Sequence, residues 1–173
     1  PYTFEALETL LNENQKPMVL DADALNIIAK RPALLGLIPP SSILTPHLKE
    51  FERLFGRSEN DFERNTLQRT KAKEFGFIII LKGAHTAVAT PDGNCYFNST
   101  GNPGMASGGM GDVLTGILTS LLAQSINPSQ AAILGVYLHG LAGDLAANEI
   151  GQISLVASDL IDNIGPAFKE IQD

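Results

Sequence analysis

The 173-residue chain has a single cysteine, Cys95, and 12 Lys and Arg against 19 Asp and Glu. One cysteine permits no internal disulfide and suits a reducing compartment; it reads as a strand residue rather than a nucleophile. The net charge of −7, with the few basic residues forming no stripe, argues against a nucleic-acid partner. The chain lacks a long apolar run: its most apolar tract, 131–147, is interrupted by His139 and Asp144 and so reads as a buried helix rather than a membrane span. No signal-peptide pattern is visible, and the expectation is a cytoplasmic protein without a membrane partner. Internal repeats, low-complexity tracts, HExxH and paired-cysteine motifs are all missing, so no metal ligands are assigned. A content of 44% apolar and 18% charged residues is that of a globular chain long enough for one domain with a sizeable core.

Periodicity predicts a helix over 3–14 that Pro17 ends, a short strand over 18–20, and a helix over 24–30. Asp21 and Asp23 follow that strand; one is expected to cap the helix and the other to serve a site, without the sequence deciding which. A short helical segment over 32–37 and a strand over 42–44 come next. His47 then precedes an amphipathic helix over 48–55, either as a surface residue at its N-terminus or as a ligand contact. Residues 61–75 read as a charged outer helix with Phe62, Leu67 and Phe75 as its apolar contacts. FIIIL at 77–81 reads as a central parallel strand covered on both faces. Pro91-Asp92-Gly93 marks a hairpin between 86–90 and 94–98. Further helices are expected to 122, over 129–149 and over 157–171. The middle one is rich in Ala and Gly and should pack closely between neighbours. On it, His139 is expected to be a satisfied core histidine and Asp144 a surface charge.

The stretch Asn98 to Gly116, NSTGNPGMASGGMGDVLTG, carries the chemistry. Gly108, Gly109 and Gly111 can take positive φ and allow close approach to the backbone. Val113, Leu114, Ile117, Leu118, Leu121 and Leu122 form one apolar face of a helix starting near Gly111 or Asp112. A glycine-rich turn feeding a helix N-terminus is suited to an anion or phosphate. The plain alternative is a flexible loop with Asp112 as a cap. The segment is neither a Walker P-loop, since Met110 and Gly111 stand where Lys and Ser/Thr belong, nor a GxGxxG fingerprint.

The turn resembles the anion-hole signature of the ribokinase-like superfamily, whose G-x-G-D aspartate is the catalytic base. Together with LDADALN (20–26), LTPHLKEF (44–51) and LKGAHT (81–86), it is similar to the ADP- or ATP-dependent NAD(P)H-hydrate dehydratase family, in the family's motif order. The resemblance implies an α/β protein with the three-layer α/β/α ribokinase-like fold and one partial domain over 1–173, the family's N-terminal strands and helices and any fused epimerase domain being missing. It implies Asp112 as catalytic base, and His47 and Asp112 as contacts to the hydrated NADH or NADPH substrate. Nucleotide binding is implied for Lys82, Gly83, Ala84, His85, Thr86, Asn102, Gly108, Gly109 and Gly111, with ADP or ATP and Mg2+ as cofactors. The family usually continues Pro-Gly-Glu after His47, where this chain has Leu48-Lys49-Glu50. A partial sheet leads to the expectation of a homo-oligomer. Two rival readings stand beside this one: a vitamin or sugar kinase of the same superfamily, and a non-catalytic nucleotide-binding fragment.

Overall fold

Leu7 and Leu11, one turn apart, make the buried face of α1 (Tyr2–Glu13), and the Arg31 guanidinium sits 3.8 Å over the ring of Phe4 on the same helix. In this computed structural model, which describes residues 2–172, the chain up to Gly83 and Ala87–Tyr96 form one unit; Ala84–Thr86 and the chain from Phe97 onward form a second.

In the first unit, β1 (Val19–Leu20) pairs in parallel with β2 (Ile43–Leu44), and β2 in parallel with β3 (Ile78–Leu81). β4 (Ala87–Ala89) lies antiparallel to β3, and β5 (Cys95–Phe97) completes the order β1-β2-β3-β4-β5. The sheet is therefore mixed. The apolar run is central, as expected, but parallel on one side only, because the hairpin at Pro91-Asp92-Gly93 returns the chain antiparallel. Ile78, Ile79 and Ile80 are fully buried, each worth about 1.5–3 kcal/mol of apolar burial.

The helices α2 (Asp23–Lys30), α3 (Leu48–Phe55) and α4 (Asp61–Phe75) and the 3₁₀ segment Pro32–Leu37 occur where the pattern predicts them. Asn60 caps α4, accepting from Glu63 N–H at 2.9 Å, and Gly76 ends it in the left-handed region at φ 69°. Phe51, Phe55, Phe75 and Phe77 form a ladder of rings 5.3 to 6.4 Å apart. Phe62, expected as a contact, is instead 88% exposed. The inner face of α4 is made by Ala72 and by Gln68, whose buried Nε2 donates to the carbonyls of Ile79 and Ala87, 2.9 Å from each.

The second unit is built from α5 (Met110–Ala123), α6 (Pro128–Ile150), α7 (Ala157–Asp162) and α8 (Ile164–Glu170), with a core of its own that includes Val113, Ile117, Leu138, Ala142 and Leu160. The expected close packing of α6 is present: a Cβ on Gly135 would lie 2.7 Å from Leu118 Cδ2. The single terminal helix expected over 157–171 is broken at Asn163. Pro166 has no N–H to offer the Asp162 carbonyl and its ring crowds that group. Asn163, buried at the break, donates through Nδ2 to Asp159 O at 3.0 Å.

Candidate functional site

The C-terminal ends of the three parallel strands carry one cluster. Asp21 follows β1, His47 follows β2, and Lys82 follows β3, and a parallel bridge between His47 and Lys82 continues the ladder past the strands. This is the edge at which open α/β sheets place ligands. Lys82 N–H donates to Pro46 O at 2.9 Å, and its ammonium lies 2.7 Å from Asp21 Oδ1. Lys82 is thus committed to an ion pair rather than being an ordinary exposed strand-end lysine. Asp21 Oδ1 also accepts from Ala22 N–H at 2.8 Å.

The aspartate pair resolves. Ala22, not Asp23, stands at the N-cap of α2 without a capping side chain, and Asp23 is the first helical residue. Ala22 has φ 49° and ψ −117°, a strained conformation for a residue with a Cβ, beside the Asp21 carboxylate. The sequence contains no signal for this strain.

His47 caps α3. Its Nδ1 accepts from Lys49 N–H (3.1 Å) and Glu50 N–H (3.4 Å), while its own N–H donates to Glu50 Oε2 at 2.8 Å, a reciprocal capping box. Nδ1 acts as acceptor, so a neutral ring carries its proton on Nε2. That nitrogen lies 3.5 Å from Glu50 Oε1, on a side chain half exposed to solvent. His47 is therefore a helix cap on a half-exposed side chain whose Nε2 lies beside the Glu50 carboxylate. The change to Leu48-Lys49-Glu50 leaves the Glu needed for the box.

Beyond Lys82, Gly83, Ala84 and His85 are exposed, and Thr86 is half-buried with its carbonyl accepting from Asn98 N–H at 2.9 Å.

In the second unit the glycine turn opens α5 one residue earlier than the pattern suggests. Gly109 is the N-cap with φ 87°, and among the described residues no side chain caps the helix. Of the three glycines expected to use positive φ, Gly109 does so; Gly108 and Gly111 do not, Gly111 being already helical. A Cβ on Gly109 would stand 3.0 Å from Ala157 Cβ, so glycine is required here for both conformation and space. Val113 N–H is bonded to Gly109 O at 3.1 Å, which leaves the N–H groups before it without partners inside the helix. Asp112, exposed, is the third helical residue and is not a cap.

Asn102 caps the 3₁₀ turn Pro103–Met105 through Gly104 N–H (3.0 Å), and its Nδ2 donates to Gly143 O (3.0 Å) and Asp144 Oδ1 (2.8 Å). Its amide is used in holding its own loop. His139 is satisfied as expected, with Nε2 2.8 Å from Met110 O. Asp144 is not the surface charge anticipated for it, since Oδ2 also accepts from Gly101 N–H at 2.8 Å.

A mixed α/β chain with a ligand-type strand edge and an uncapped glycine turn has the ribokinase-like fold. A ribokinase-like superfamily protein from Enterococcus faecalis V583 matches with TM-score 0.78 at 29% identity, over 96% of this chain and 58% of that one. The chain belongs to the NAD(P)H-hydrate dehydratase family, whose profile matches residues 2–166. It is 42% identical over 175 residues to the bifunctional NAD(P)H-hydrate repair enzyme Nnr of Moorella thermoacetica, covering 100% of this chain and 33% of the relative. The structure of ADP/ATP-dependent NAD(P)H-hydrate dehydratase from Bacillus subtilis co-crystallised with ATP/Mg2+ matches with TM-score 0.79 at 36% identity, over 92% of this chain and 56% of that one. The chain thus spans between about a third and three fifths of the length of these proteins.

Proposed function

We propose that the protein carrying this chain repairs hydrated NADH or NADPH. ADP or ATP donates its terminal phosphoryl group to the hydroxyl of the hydrated nicotinamide ring, and the hydroxyl proton is lost. The lone pair of the adjacent ring nitrogen then expels phosphate, and loss of a proton from the neighbouring carbon restores the dihydropyridine. Family membership and the names of the relatives support this reading. The observation that carries it is the Gly109 turn, which leaves the first N–H groups of α5 available and Asp112 exposed among them.

In this reading the N–H groups of Met110, Gly111 and Asp112, approached past Gly108 and Gly109, take charge from the transferring phosphoryl group. Donors of this kind are worth roughly 2.7–4 kcal/mol each in a transition state. Asp112 receives the hydroxyl proton, and because proton removal is late in a loose phosphoryl-transfer transition state, its position matters more than its basicity. His47 offers Nε2–H to an acceptor on the hydrated nucleotide. Lys82, Gly83, Ala84, His85 and Thr86 hold the ADP or ATP, with Lys82 presenting a charge already balanced by Asp21. Asn102 acts through the loop it holds.

Magnesium, when bound, would neutralise charge on the nucleotide phosphates. Among the described residues no three His, Cys, Asp or Glu side chains converge, so nucleotide phosphates would supply most of its ligands and Asp112 would stand beside them. A cytoplasmic location and a self-associated state belong to the same proposal. An acidic chain, no described helix long and apolar enough to cross a membrane, and the exposed Tyr96 and Phe97 of strand β5 support them.

The test is turnover of hydrated NADH with ADP or ATP by the wild type and by Asp112→Asn. Loss of a positioned general base lowers the rate by about 10²–10⁴-fold with nucleotide affinity retained, whereas wild-type turnover in the variant overturns the assignment.

A further inference from the structure

The segment between β5 and α5 is laid along one helix. Asn98 Nδ2 reaches Val136 O at 3.5 Å, and Thr100 Oγ1 donates to Tyr137 O at 2.8 Å. Two glycines on the same side of α6 leave the space: a Cβ on Gly140 would lie 2.2 Å from Thr100 Oγ1, and one on Gly143 would lie 2.3 Å from Met105 Sδ. At the far end the Asp144 carboxylate takes Gly101 N–H on Oδ2 and Asn102 Nδ2 on Oδ1, 2.8 Å each. The path then returns, and His139, next to Gly140, donates from Nε2 to Met110 O (2.8 Å), the carbonyl of the first residue of α5.

Two polar side chains of α6 thus hold both ends of the segment 101–110. We propose that Asp144 and His139 are positioning residues for the phosphate-binding turn, fixing it on α6 so that the first N–H groups of α5 and Asp112 keep their aim. This rests on the reading of that turn as the phosphoryl-binding site. Asp144 suits the task because a carboxylate is acceptor-only and both groups facing it are N–H donors. An amide in its place would set one NH2 against a donor. Asn102 cannot relieve that clash by flipping, since its Oδ1 already accepts from Gly104 N–H and its Nδ2 donates to Gly143 O. A misplacement on the order of 1 Å costs up to roughly a hundredfold in rate, so the restraint matters more to turnover than to folding.

The experiment compares Asp144→Ala, Asp144→Asn, His139→Leu and His139→Gln in the protein that carries this chain. It reads amide hydrogen exchange at Gly101 to Gly104 together with kcat and KM for hydrated NADH. Asp144→Ala should raise exchange in that loop while the α5 and α6 amides stay protected, and lower kcat roughly 10–100-fold with nucleotide KM little changed. Asp144→Asn should fall between Ala and wild type, and His139→Gln, which keeps an N–H donor, should retain kcat that His139→Leu loses. Unchanged exchange at Gly101 to Gly104 in Asp144→Asn, or a uniform rise across the chain, overturns the proposal, as does wild-type kcat in both Asp144 variants. Should Asp144→Ala not fold, Asp144→Asn and the His139 pair decide by the same criteria. If the wild type regenerates no NADH, the dehydratase reading fails, and the exchange data alone then uphold or overturn the restraint by Asp144.

Discussion

Lys82 and Asp21, 61 residues apart in sequence, meet at 2.7 Å between Nζ and Oδ1, joining the ends of β3 and β1. Their side chains retain 24% and 11% exposure, so solvent screens the pair only in part. Asp21→Ala leaves a half-buried ammonium without its partner and should destabilise the protein by about 1–3 kcal/mol. The double variant with Lys82→Met should cost less than the sum of the two single changes, as a double-mutant cycle in urea would show. Additivity would mean that the pair contributes nothing.

Replacing His47 separates its two roles. His47→Ala loses the cap on α3, about 1 kcal/mol, together with the Nε2–H. His47→Asn, a good capping residue, should recover most of the thermal stability but not the affinity for hydrated NADH. Recovery of both would show that the ring nitrogen is not a ligand contact.

At Gly109 a side chain meets φ 87° and Ala157 Cβ at 3.0 Å. Gly109→Ala should cost about 1–3 kcal/mol in stability and weaken nucleotide binding more than Gly108→Ala, which meets nothing within 4 Å. Denaturant unfolding and nucleotide titration of the two variants check the order.

The Asp92 carboxyl is held below the usual carboxylate range, first by the Thr90 hydroxyl and then by Asn94 N–H. A depressed folded value means that its contribution to stability is present above the unfolded value and is lost as pH falls through the folded one. An NMR titration should place the Asp92 midpoint below that of an unfolded peptide, and Thr90→Val should move it back up.

What was legible in the sequence followed from local rules. Helix α4 ends at Gly76 and the hairpin turns at Pro91-Asp92-Gly93 because backbone chemistry decides both within a few residues. The glycine turn opening α5 was legible for the same reason, though not which glycine carries the positive φ. Gln68, Asp144 and the Asp21–Lys82 pair were not legible as partnerships. Each is a polar side chain whose partners lie between 11 and 61 residues away, and nothing in its own neighbourhood distinguishes it from a solvated one. Ala22 was missed because no local pattern marks a strained alanine. The motif marks Asp112 in the sequence, while its place as third helical residue rather than cap depends on where the helix begins.

The most direct measurement is the product formed from hydrated NADH, magnesium and ADP or ATP by the protein that carries this chain. Regenerated NADH with one phosphate released per turnover and no lasting phosphate ester is the expected outcome. A stable phosphorylated alcohol, formed from a hydroxymethylpyrimidine or thiazole alcohol while hydrated NADH is left untouched with either nucleotide, would contradict it and make the protein a kinase of the same fold.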